Sequence, residues 1–233
     1  MRVYLIRHAQ SENNVLTDET LYMRKVDPSL TELGFEQAQY LADFLENTTD
    51  LGVDAPHFGI THFYCSAMFR ALLTSQPVTQ AIGMKPRVWV NLHEKGGMFL
   101  REGRQINGFS GMTRGAILKD FPDYDLPDDV TDYGWYDHTV GMETETRGMF
   151  RAIEVANSLR ERSNSDDVLA LVSHAGFLDI LMKAIFDQLP SEPYTMRYYH
   201  YNTAITRIDY VNQRPVLHYH NRVDHLPHDK RSA

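Results

Sequence analysis

The 233 residues are 42% hydrophobic and 23% charged, an ordinary globular balance with enough apolar material for one large α/β domain. A formal net charge of −8 argues against a general nucleic-acid binder, whose affinity rests on cationic contacts to phosphates. A single cysteine, Cys65, excludes an internal disulfide framework and any Cys-x-x-Cys zinc pattern.

The chain opens on Val3-Tyr4-Leu5-Ile6, an apolar run short enough for a buried strand. No signal-peptide pattern precedes it, and no apolar run approaches the roughly 20 residues that cross a bilayer. A cytoplasmic protein without a membrane partner is expected. Ser29, Thr31 and Glu32 open a helix whose apolar positions (Phe35, Ala38, Leu41, Ala42, Leu45) recur at i, i+3 and i+4. Asp54-Ala55-Pro56 marks a turn, 60–65 reads as a second strand, and 67–82 as a helix stopped by Gly83.

Val88-Trp89-Val90 is a third strand candidate. Residues 95–141 are rich in Gly and Asp and weakly periodic, with one short helix near 114–121, and read as an insertion or lid over the sheet edge. A long helix is expected over 143–162, a strand over 168–172, a helix over 176–186, and closing strands over 203–210 and 216–220. Strands alternating with helices predict an α/β fold: a doubly wound, mostly parallel central sheet with helices on both faces, in a single domain over 1–233.

In such sheets, ligands bind beyond the carboxyl ends of the strands. The residues there are Arg7 and His8, Ser66 and Arg70, His93 and Glu94, and Ser173 and His174. Two guanidiniums among imidazoles suit a phosphate dianion, because Arg offers planar, bidentate, charge-assisted hydrogen bonds. Each residue alone has a bland reading as a surface ion pair or a structural histidine; their joint placement after four strands is what points to a site. Ser66 could act through its hydroxyl, but it fits better as the cap of the helix expected at 67. His93 faces either the pocket or, as the strand-alternate neighbour of Glu94, away from it.

Four segments also resemble a known family. Leu5-Ile6-Arg7-His8-Ala9-Gln10-Ser11 is similar to the Arg-His-Gly-Glu-Ser motif of the histidine phosphatase (phosphoglycerate mutase-like) superfamily. Cys65-Ser66-Ala67-Met68-Phe69-Arg70-Ala71 resembles its Ser-x-x-x-Arg-Ala segment, Leu92-His93-Glu94 its Leu-x-Glu stretch, and Val172-Ser173-His174-Ala175-Gly176 its second histidine motif. The resemblance implies a phosphatase, a phosphoric monoester hydrolase of the histidine acid phosphatase kind, working without cofactor or metal. It makes His8 the nucleophile, places Arg7, Arg70 and a protonated His174 around the phosphate, adds Asn14 as a further phosphate contact, and makes Glu94 the proton donor; His93 is a candidate substrate contact only through its place beside Glu94. Ala9 and Gln10 replace the usual Gly and Glu, a change the chain is expected to tolerate.

The chain after Asn14 lacks the Trp and Gly-Trp-x-Asp elements of the glycolytic mutases, which counts against a cofactor-dependent mutase. A silent phospholigand-binding protein is the other alternative; the full set of site residues counts against it. A cysteine phosphatase would need one residue more between Cys65 and Arg70 than the chain has. Eleven histidines raise the question of a metallohydrolase, but no His-Glu-x-x-His occurs, and His218, His220, His225 and His228 read as a polar tail. The expected partner is a small phosphorylated substrate, whose second acidic group could meet Lys95, Arg101, Arg104 or Arg114 and whose ring could stack on Phe109, Trp135 or Tyr136. A homodimer through an edge strand stays open.

Overall fold

The computed structural model describes residues 1–190 and 196–233. The opening apolar run extends into strand β1 (Arg2–Arg7). Its side chains alternate: Val3 and Leu5 enter one apolar layer, Tyr4 and Ile6 the other. The same holds for β6 (Val168–Ser173), whose Leu169 and Leu171 join the first layer and Ala170 and Val172 the second. Strands buried on both faces read as continuous apolar runs, which is why these two were legible.

The sheet runs β3-β2-β6-β1-β7-β8, with β2 spanning His62–Cys65, β3 Arg87–Val88, β7 Ile205–Val211 and β8 Arg214–Arg222. The pairs β3/β2, β2/β6 and β6/β1 are parallel; β7 and β8 close the sheet antiparallel. Helices α1 (Glu32–Asn47) and α2 (Phe69–Ala81) cover one face through Leu41, Ala42, Leu45, Ala71 and Leu72. Helices α4 (Glu145–Glu161) and α5 (Ala175–Ile185) cover the other through Val155, Leu159, Phe177 and Leu181. The expected doubly wound, mostly parallel architecture is therefore present.

Local chemistry sets the helix starts. Thr31, Thr113 and Thr144 each accept a backbone N–H three residues on, capping α1, α3 (Arg114–Asp120) and α4. Gly34, in the first turn of α1, packs so closely on the loop after β1 that a Cβ there would collide with the Gln10 carbonyl oxygen.

Three expectations need correction. Helix α2 begins at Phe69 rather than 67, because Met68 is still extended (φ −71°, ψ 137°). The strand expected over 88–90 ends at Val88 and gives way to a 3-10 turn at Val90–Leu92. The weakly periodic stretch contains a hairpin, β4 (Phe99–Glu102) with β5 (Gln105–Gly108), and then sends Ile117, Phe121, Tyr124, Leu126, Val130 and Trp135 into the layer under α1 and α2.

Candidate active site

Strand register brings the motifs together. Arg7 pairs with Ser173 and Cys65 with Val172, so the next residues along, His8, His174 and Ser66, emerge side by side at the carboxyl ends of β1, β6 and β2. Of these three, His8 reaches a cleft of about 130 Å³ whose wall also includes Arg7, Asn14, Arg24, Arg70, Glu94 and Lys95.

The His8 ring is held in one tautomer. Its Nδ1 lies 2.6 Å from the Ala9 carbonyl, an oxygen that can only accept, so Nδ1 carries the proton. Arg70 Nε donates to Nε2 at 3.2 Å, which requires a lone pair there. Burial, then the charges of Arg70 and Arg7, push the imidazole well below its ordinary pKa, so it is neutral. Its backbone is equally fixed: the His8 carbonyl accepts from Asn202 Nδ2 at 3.0 Å, and Ala9 N–H donates to Thr74 Oγ1 at 3.0 Å. Ala9 is buried and keeps an ordinary φ, so the methyl group in place of the family's glycine causes no strain.

Arg7 and Arg70 are both nearly buried. Arg7 donates from Nη1 to the His200 carbonyl at 2.7 Å, while its Nε is buried without a partner. Burial lowers its pKa to about 10, still far above neutrality. Arg70 is lowered too, by burial first, and its nearest carboxylate oxygen is Asp27 Oδ1 at 3.7 Å. Burial raises Asp27 to about 6 against the pull of Arg70. Two desolvated guanidiniums with this little compensation make a site that favours an anion.

Asn14 lies on the wall, its Oδ1 accepting from Ser11 N–H (2.9 Å) and Ser11 Oγ (3.0 Å), which leaves the amide nitrogen as its free end. The Glu94 carboxylate sits at the amino end of α5, accepting from Phe177 N–H at 2.9 Å. A Cβ at Gly176 would come within 2.7 Å of Glu94 Oε1, so glycine there makes room for the carboxylate.

Three residues depart from expectation. His174 is fully buried behind His8, ring centroids 5.0 Å apart, with Nε2 2.8 Å from Ser66 Oγ and Nδ1 without a partner. Burial, then Arg70 and His8, hold it well below its ordinary pKa, so in the open site it is neutral rather than protonated. Ser66 therefore secures His174 instead of capping α2, its Oγ also accepting the Met68 N–H at 3.2 Å. His93 turns away from the cleft: the 3-10 turn points its Nδ1 at the Val90 carbonyl (2.8 Å) and its Nε2 toward Glu143, 3.7 Å off, with its ring against Trp135 and Tyr136. It does not line the cleft.

Of the other residues singled out in 95–141, only Lys95 reaches the cleft wall, where Gly97 and Phe99 join it. Arg114 is spent on the carbonyls of Leu126, Pro127 and Val130, and Trp135 is buried. Cys65 is fully buried and burial pushes its thiol up to about 12, which leaves no thiolate for catalysis. The histidines of the supposed tail do not converge: His225 bonds Thr203, His218 lies near Asp209 and His220 against His200. Among the described residues no group of three or more His, Cys, Asp or Glu is arranged to hold a metal. A wider hollow of about 410 Å³ lies beyond α2, with Lys85 and Asp123 as its charged groups.

Sequence reasoning missed Asp27, Arg24, Thr74, Asn202 and Thr203. Thr203 holds a left-handed φ of 58°, which costs a β-branched residue on the order of 1–3 kcal/mol. That strain lets its N–H reach the Arg7 carbonyl at 3.1 Å and sets Asn202 beneath His8.

The model of the histidine phosphatase superfamily, branch 1, matches residues 3–223. The chain belongs to this superfamily. A curated relative, "Putative phosphoserine phosphatase 2" of Hydrogenobacter thermophilus, is 34% identical over 94 residues, 40% of this chain and 39% of that protein. The chain thus aligns with about two fifths of that relative's length. Among solved structures, YhfR of Bacillus stearothermophilus superposes with a TM-score of 0.60 at 21% identity, covering 96% of this chain and 98% of that one. A mutant phosphoserine phosphatase of Entamoeba histolytica in complex with phosphoserine gives 0.58 at 18%, covering 97% and 99%. A mycobacterial glucosyl-3-phosphoglycerate phosphatase gives 0.58 at 22%, covering 95% and 99%. At these identities the superpositions speak for the fold alone. No described helix is long and apolar enough to cross a membrane.

Proposed function

We propose that this member of the superfamily is a metal-independent phosphatase, a phosphoric monoester hydrolase that works through a phosphohistidine on His8 and needs no cofactor. The observation that carries this reading is the His8 imidazole, neutral, tied at Nδ1 and presenting an Nε2 lone pair beside Arg70.

Arg70 turns its Nε–H from His8 Nε2 to the arriving phosphate, and the freed Nε2 lone pair attacks phosphorus in line as the bond to the ester oxygen breaks, forming a covalent intermediate. Arg7 and Arg70 neutralise the equatorial oxygens, and positioning does most of the work. Glu94 delivers a proton to the leaving oxygen and, as the carboxylate, then takes one from the water that hydrolyses the phosphohistidine. Phosphate leaves and His8 returns to its neutral form. An arriving dianion favours the protonated form of His174, whose Nδ1 has no competing partner. The substrate is a small monoester; Arg24, Lys95 and Asn13 at the mouth suit one with a second acidic group, as phosphoserine has.

The test is hydrolysis of p-nitrophenyl phosphate in the presence of chelator by the parent, His8→Ala and Cys65→Ser. The reading expects turnover that survives chelator and Cys65→Ser and vanishes in His8→Ala. An active His8→Ala, or loss of turnover with chelator, overturns it.

A further inference from the structure

The segment that carries Glu94 has little reason of its own to keep one shape. Between the 3-10 turn and β4 it forms no regular structure, and it contains Gly96 and Gly97, both left-handed at φ 92° and 74°. Its own bonds are one turn, Gly97 N–H to the Glu94 carbonyl at 3.0 Å, and Lys95 N–H to Glu94 Oε1 at 2.7 Å; the rest of what fixes it comes from elsewhere in the chain. Arg151, in the second turn of α4, donates from Nη1 to the carbonyls of Asn91 (2.7 Å) and His93 (2.8 Å), the second being the peptide oxygen just before Glu94. The rest of the guanidinium grips Glu143 through two parallel bonds, Nε to Oε1 at 2.9 Å and Nη2 to Oε2 at 2.6 Å. Glu143 in turn brackets the other side of Glu94: its N–H donates to the Gly96 carbonyl at 2.8 Å, and its Oε2 accepts the Gly96 N–H at 3.3 Å.

Peptide groups on both sides of Glu94 are thus held by one ion pair whose side chains are only 7% and 8% exposed. The same guanidinium lies 4.2 Å over the ring of Phe177, the residue whose N–H the Glu94 carboxylate accepts. Against the burial that would raise it, contacts with His93 and Arg151 hold Glu143 down at about 2, so the pair stays charged. A buried ion pair is a poor source of net stability, since an apolar pair of similar volume commonly does as well. What an apolar pair cannot do is reach two carbonyls and an N–H on either side of an acid.

We propose that Glu143 and Arg151 are positioning residues for Glu94, a buried clamp that sets the distance between its carboxyl group and the ester oxygen that leaves. This rests on the reading of Glu94 as proton donor. The clamp itself neither gains nor loses a proton: the proton passes from Glu94 to the leaving oxygen as the His8 Nε2–P bond forms and the P–O bond breaks.

Leaving-group dependence separates this from a merely structural role. An aryl phosphate departs with little help from an acid, whereas an alkyl phosphate depends on it. The experiment compares kcat/KM, which reports the phosphorylation half-reaction, for p-nitrophenyl phosphate and β-glycerophosphate in Glu143→Gln, Arg151→Lys and Glu94→Gln. A displaced acid should lower kcat/KM for β-glycerophosphate by roughly 10- to 100-fold, and for p-nitrophenyl phosphate by less than about 3-fold. Arg151→Lys keeps the charge opposite Glu143 but cannot span both carbonyls, so it carries the test if Glu143→Gln fails to fold. Equal losses on both substrates, or none on either, beside a selective Glu94→Gln overturn the clamp alone. An unselective Glu94→Gln overturns the acid assignment, and the clamp with it.

Discussion

Toward the amino end of β1 the buried charges interlock, whereas at its carboxyl end they are left short of partners. At the first, the fully buried Asp50 carboxylate accepts from Arg222 at 2.8 Å and from Arg207 and Tyr4 at 3.0 Å each. Arg207 also chelates Asp209 at 2.9 and 2.7 Å, and Arg2 reaches the same carboxylate at 3.1 Å. At the second, Arg7 Nε, Asp27 Oδ2 and His174 Nδ1 are all buried without a partner. The same strand thus carries a closed network at one end and an open one at the other. An open network is costly to fold, and the cost is recovered when an anion binds.

The sharpest break of that comparison is Arg70→Met. It should lower phosphatase kcat/KM by about 10³-fold or more, the scale of losing a transition-state charge partner, while the unfolding midpoint moves little. A collapse in stability comparable to its loss of activity would mean that Arg70 is a structural ion-pair member after all. Asp50→Ala should do the reverse. Removing one partner from a buried pair leaves Arg207 and Arg222 under-compensated and should cost about 3–5 kcal/mol in urea unfolding, while kcat/KM of the folded fraction stays near the parent's. If Asp50→Ala loses activity at unchanged stability, the contrast between the two ends fails.

A third expectation sharpens the contrast through pH. His8, His174, His93, His200, His220 and His225 are all depressed by burial, His200 to about 3 and His225 to about 4. Above about pH 6.5 they are neutral in folded and unfolded chains alike and contribute no pH dependence. As pH falls below that value the unfolded chain takes up protons that the folded one refuses, so stability declines toward pH 4. Urea midpoints between pH 8 and 4.5 test this, and orthovanadate should flatten the decline by drawing a proton onto His174. A midpoint that rises on acidification would show that these imidazoles are charged in the fold.

These residues also mark how far the sequence could be read. Arg7, His8 and His174 were legible because a parallel sheet delivers whatever follows its strands to one rim, and Arg70 and Glu94 because they come within a few residues of the carboxyl ends of β2 and β3. His93 was decided by something finer: the turn at Val90–Leu92 replaced the expected strand and rotated the ring away from the cleft. Ser66 was misjudged for a like reason, since α2 starts a few residues later than its apolar pattern implies. Asp27, Asn202 and Arg151 left no local signature at all. Each acts on a residue 42 to 194 positions away through one hydrogen bond or a pair of them, and only the folded chain shows which.

The smallest expected effect concerns Ala9, the departure from the family's glycine beside the nucleophile. A glycine at that position would be needed only for a left-handed φ or a crowded Cβ. Ala9 has neither requirement, since its φ is ordinary and its methyl group packs with Leu30 and Ala38. Restoring the family residue with Ala9→Gly should therefore leave kcat/KM within about 2-fold of the parent. It should lower stability by about 0.5–1 kcal/mol, because the unfolded chain gains freedom and the small packing contact is lost. A stability loss confined to that range with activity intact would place position 9 with the closed, structural end of the comparison, although it adjoins His8. A gain in activity instead would mean that the loop carrying His8 is held too tightly by the Ala9 N–H to Thr74 bond, and that the open end depends on backbone freedom as well as on uncompensated charge.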